Sequence, residues 1–154
     1  MRDWIVNSLL AALVMVIVCS NAVAQTSVNG KTPSFKVGQM WSYKTRPGET
    51  KSTFVVVKID THPTYGNIIH IAVQDLKMKN PNSPDGFSNQ IGHMPFSEKA
   101  LAESVVKLLK EKVELPDFEN GYNLWREAFE QQRAGFYTIS IAEAVKIAEE
   151  GLNQ

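Results

Sequence analysis

Two β-branched runs separated by a short turn constrain this chain more than any other feature. Residues 53–60, TFVVVKID, and 68–76, IIHIAVQDL, are rich in Val and Ile, and HPTYGN between them supplies Pro, Gly and Asn where a turn is needed. Runs of this kind read as strands, and so close together they pair antiparallel. In the second run Ile69, Ile71 and Val73 alternate with His70, Ala72 and Gln74, which leaves one apolar face for something else to cover. A third strand comes first in the chain: over 39–45, Trp41 and Tyr43 share one face while Ser42 and Lys44 take the other. Arg46-Pro47-Gly48-Glu49 then forms a reverse turn, with Pro presetting φ at its second position and Gly accepting positive φ at its third.

The cover comes from the second half of the chain. Ser97 is a good N-cap, and Leu101, Val105, Leu108 and Leu109 then fall on one stripe, which predicts a helix running toward Pro116. Phe118, Tyr122, Trp125 and Phe129 share one face of a second helix, with Gly135 placed as its C-terminal cap; packing against the sheet is the first reading of that stripe, and lining a ligand groove is the second. Ser140 and Glu143 form a capping box that opens a third helix, with Ile141, Val145 and Ala148 inward. The fold class is α+β: a small antiparallel β-meander of about three to four strands packed against about three C-terminal helices. Residues 77–95 carry three prolines and no usable periodicity, and read as a long loop. Residues 136–139 read as an extended link or edge strand.

The N-terminus gives the expected destination. A short charged start, an apolar run over 9–18 and the small-residue site Ala22-Val23-Ala24 have the layout of a secretory signal peptide, with cleavage after Ala24. The apolar run is too short for a stable membrane span. Residues 25–34 are polar and read as a flexible lead-in, and 35–154 as a single domain. Cys19 is the only cysteine, so the mature chain has no thiolate chemistry and no disulfide. The expected location is the periplasm or the exterior.

Charge is zero overall but unevenly spread. Residues 25–80 hold seven Lys and one Arg against two Asp and one Glu, a net of +5, and 81–154 carry the compensating −5. No basic run exceeds two residues, which argues against nucleic acid as a partner.

The chemistry-bearing residues are few. The three histidines, His62, His70 and His93, lack metal-ligand spacing and have no cysteine to complete a site, so no metal or other cofactor is expected. An approach of His62 to His70 across the hairpin is the one close histidine pair that the sequence suggests. His93 lies at the end of the long loop just before a helix start, and is the weak catalytic candidate. A periplasmic hydrolase centred on it would recruit Ser88 or Ser97 and a carboxylate such as Glu98, without any nucleophile-elbow motif. The favoured expectation is a small exported protein of a bacterial envelope that binds a protein or small-molecule partner without catalysis, as an adaptor, inhibitor or immunity-like module. Its candidate binding residues are Lys44, Arg46 and Glu49 around the first turn, together with Phe87 and His93 of the long loop.

Overall fold

The computed structural model describes residues 32–153. The expected signal peptide, its cleavage site and most of the lead-in lie outside them. Among the described residues no helix is long and apolar enough to cross a membrane.

The architecture is α+β. The meander forms as expected from β1 (Met40–Tyr43), β2 (Thr53–His62) and β3 (Gly66–Gln74). The 77–95 segment holds more structure than its sequence suggests. A small ladder joins β4 (Met78–Lys79) to β5 (Phe87–Ser88), and β6 (Ile91–Ser97) pairs antiparallel with β3. Pro95 hid β6, because proline lacks the donor that an interior strand uses. β6 is the outer strand, and the Pro95 carbonyl accepts from Tyr137 N on its far side. The 136–139 segment thus lies along β6 as an extended link, bridging at Phe96 and Tyr137.

The predicted helix from Ser97 toward Pro116 is corrected to a shorter one. Ser97 does cap α1 (Glu98–Ser104), but Val105 turns extended at ψ 151° and β7 (Val105–Lys110) follows. Two adjacent β-branched residues and the open edge of β1 account for the switch, since β1 would otherwise leave backbone groups without partners. Val106 and Leu109 are the extra residues of two bulges against β1, which makes β7 a poor template for a further strand.

The sheet order is β6-β3-β2-β1-β7, so α1 connects the two outer strands directly. Seven helical residues span about 10 Å, whereas the outer strands of a flat five-stranded sheet lie about 19 Å apart. The sheet therefore curls around α1. Its concave face holds the main core: Phe54, Val56, Ile69, Ile71, Met94 and Phe96 pack with Leu101 of α1 and with Ile141, Ala144 and Val145 of α3 (Ile141–Leu152). Trp41 and Tyr43 belong to this core.

The other face carries a smaller cluster of Val55, Val57 and Ala72, with Phe118 packed against it, and α2 (Glu119–Glu130) follows directly after Phe118. The aromatic stripe of α2 thus faces the sheet away from the main core. α2 ends through Gln132, which takes the left-handed conformation at φ 57°, and not through Gly135.

Candidate functional site

A bulge in β2 decides which side chains meet on the α2 face. Val56 pairs with Ile71 and Lys58 with His70, so Val57 is an extra residue that shifts the alternation of everything after it. Without it Asp60 would share the core face with Phe54 and Val56. With it, Lys58 and Asp60 join His70 on the opposite face, and Ile59 turns toward the core. β6 is adjusted in the same way. Two steps of β3 from Ile71 to Val73 match three of β6 from Met94 to Ile91, and His93 lies within this irregularity.

The result is a line of polar groups beneath α2. His93 Nε2 lies 2.9 Å from His70 Nδ1, His70 Nε2 lies 3.2 Å from Asp60 Oδ2, and the Tyr122 hydroxyl donates to the same oxygen at 2.8 Å. Burial pushes His70 down to about 4, reinforced by His93 and opposed by Asp60. Burial also lowers His93 to about 4, again against the pull of Asp60. Both rings are therefore neutral at pH 7. A proton on His93 Nε2 that donates to His70 Nδ1 leaves the His70 proton on Nε2, toward the carboxylate, which is the electrostatically favoured tautomer. That N–H has no partner in hydrogen-bond geometry, so its contact with Asp60 is electrostatic in character. Burial, then Asp60, raises the pKa of Tyr122 and keeps its phenol a donor.

Aromatic rings enclose the line. Trp125 meets His70 at 4.6 Å and Tyr122 meets it edge-on at 5.1 Å. Beyond Asp60 a cleft of about 780 Å³ opens between the β2–β3 turn and α2, with Ile68, His62 and Tyr65 on the sheet side and Trp125, Phe129 and Arg126 on the helix side. Trp125 stacks on Phe129 at 4.8 Å, His62 on Tyr65 at 4.6 Å, and His62 abuts Phe129 at 5.8 Å. The rings form one continuous surface. The Trp125 Nε1–H donates to the Gly135 carbonyl at 2.7 Å and ties the far end of the cleft to the 131–140 segment.

The residues singled out by sequence are dispersed. His93 reaches Asp60 through His70, and it does not meet Ser88, Ser97 or Glu98. Ser97 caps α1, Ser88 accepts from Asn80 and Glu98 accepts from Asn67. His62 pairs with Tyr65 and not with His70. Arg46 and Glu49 are engaged inside the domain: Arg46 grips Glu49 through two nitrogens and Glu149 of α3 through the third, while Glu49 also accepts from Lys77 N. Lys44 Nζ donates to the Glu103 carbonyl, and Phe87 is half-exposed on β5. Among the described residues no group of three or more His, Cys, Asp or Glu converges as a metal site. Asp60 escaped sequence reasoning because the bulge that brings it beneath α2 has no residue signature, and nothing in the sequence joined it to Tyr122 or Trp125. The aromatic stripe was visible, but its spacing does not say which face of the sheet it covers.

The chain matches no family model, and no curated protein or solved structure gives a significant match.

Proposed function

We propose that the protein is a non-enzymatic binding module of the cell envelope whose ligand occupies the cleft between the β2–β3 turn and α2. The observation that carries this reading is the set of aromatic side chains left around about 780 Å³ of open space, when closing α2 onto the sheet would have buried them. Small-molecule sites are typically clefts of about 300–1,000 Å³ with apolar walls and a few placed polar groups. Asp60 is such a group. Export rests on the signal-like N-terminus, and N-terminal sequencing of chain recovered outside the cytoplasm should begin at Gln25.

Catalysis by His93 is the weaker reading. The Asp60–His70–His93 line could move a proton, but among the described residues no hydroxyl nucleophile hydrogen-bonds to the free end of His93, and His70 is wholly buried. The test is a titration of the mature chain with ring-containing small molecules, followed by amide shifts. Perturbations clustered over 61–68 and 122–134, and lost in Phe129→Ala, support the cleft. Hydrolysis of an ester, peptide or glycan that disappears in His93→Gln would overturn it in favour of the hydrolase.

A further inference from the structure

Asp60 gives the ligand a chemical class. The carboxylate stands at the inner end of the cleft, where Tyr122 and His70 both address Oδ2. Among the described residues the other oxygen, Oδ1, has only Lys58 Nζ at 3.9 Å, and the Lys58 side chain is 40% exposed, so water screens the pair. An ionised carboxylate only accepts hydrogen bonds, so whatever meets Oδ1 must donate. Arg126, the cationic side chain on the helix side, lies 5.9 Å from the Tyr122 ring and forms an exposed pair with Glu130, and among the described residues it makes no ion pair with Asp60. Around this acceptor the walls are aromatic, and ring faces attract cations as well as apolar groups. Neither His70 nor His93 competes as a cation, because both are buried and neutral.

The geometry points to an organic ammonium as the ligand: an amine with a hydrocarbon or ring body, its charged nitrogen on Asp60 Oδ1 and its body against Trp125, Phe129 and Tyr65. This rests on the cleft being the binding site. Size agrees, since a ring-bearing amine fills part of a cleft of about 780 Å³ and leaves room for a longer body. Burying the ring surface offsets the ordering of the ligand, and the charge-assisted hydrogen bond supplies the selectivity.

The experiment uses the mature chain and three isosteres, 2-phenylethylammonium, 2-phenylethanol and 3-phenylpropionate, with affinity read by amide shifts at 60–68 and 122–130. The expected order is the amine tightest, by about tenfold over the alcohol, with the carboxylate weakest. Asp60→Asn should remove the preference for the amine over the alcohol, because asparagine keeps an acceptor for Tyr122 but carries no charge. Should that variant fail to fold, the wild-type isostere order decides alone. Equal binding of amine and alcohol, or tighter binding of the carboxylate, overturns the ammonium assignment while leaving the cleft as a binding site. No shift with any of the three overturns both.

Discussion

His70 and His93 come from neighbouring strands and face each other nitrogen to nitrogen at 2.9 Å, with rings 18° from parallel, beneath a helix that buries only one residue, Tyr122. Two imidazoles so placed cannot both carry a charge. Their shared neutrality makes the attachment of α2 sensitive to acid.

Stability should therefore fall with pH in a definite window. An unfolded histidine takes its proton near pH 6.5, whereas both folded side chains wait until about 4. Between these values the unfolded chain binds more protons, so stability is lost as pH drops from about 6.5 to about 4 and levels off below. The groups facing the pair are Asp60, Lys58 and Tyr122, and only Asp60 favours protonation. Urea denaturation across pH 4–7 should show a loss on the order of a few kcal/mol. Replacing His93 with Gln should flatten the slope, and an unchanged slope would remove the pair as its cause.

Gly121 predicts a reversal of helix propensity. Alanine in place of glycine inside a helix ordinarily stabilises by about 1 kcal/mol. Here the added Cβ would stand 2.9 Å from His93 Cβ, an atom fixed close to the backbone of β6. Gly121→Ala should lift the start of α2 and destabilise the domain by about 1 kcal/mol or more. A higher melting temperature for this variant would show that α2 can shift freely.

Arg46 should prove structural. Its removal strands Glu49, whose side chain is 3% exposed, with the Lys77 N–H as its remaining donor, and leaves Glu149 only the Lys79 N–H. Arg46→Met should cost about 2–3 kcal/mol. Burial works to raise the Glu49 pKa, but the Arg46 hydrogen bond and the Lys77 amide outweigh it and leave it lowered. For a lowered carboxyl the stabilisation is present at neutral pH and is lost as pH falls through the folded value. The deficit of Arg46→Met should accordingly shrink in acid, and a deficit constant down to pH 3 would point to lost packing instead.

The capping box of α3 offers a smaller test. Ser140 Oγ accepts from Glu143 N, and the Glu143 carboxylate accepts from Ser140 N and Oγ. Ser140→Ala should cost about 1 kcal/mol, seen as a lower urea midpoint at constant slope.

Local rules made much of the fold legible. The runs 53–60 and 68–76 could only be paired strands, Ser97 and Ser140 announced two helix starts by their capping oxygens, and Gly48 at φ 85° occupies the turn position assigned to it. The misjudged stretch, 105–110, is one whose apolar residues satisfy helical spacing on paper. The edge of β1 needed hydrogen bonds, and that demand lies some sixty residues earlier in the chain. β6 was hidden for a related reason, since Pro95 is tolerated only because β6 lies at the margin of the sheet.

The candidate site shows the same division. Residue types and periodicity by themselves determined an α+β chain, three short strands in a meander, helices behind them and an aromatic face on α2, because each follows from backbone geometry within a few residues. Only the tertiary structure decided that Asp60, His70, His93 and Tyr122 meet. That meeting depends on one extra residue, Val57, which turns half of β2 over, and on the register between β3 and β6. A bulge is a compromise between strands distant in sequence, which no local pattern of residues announces.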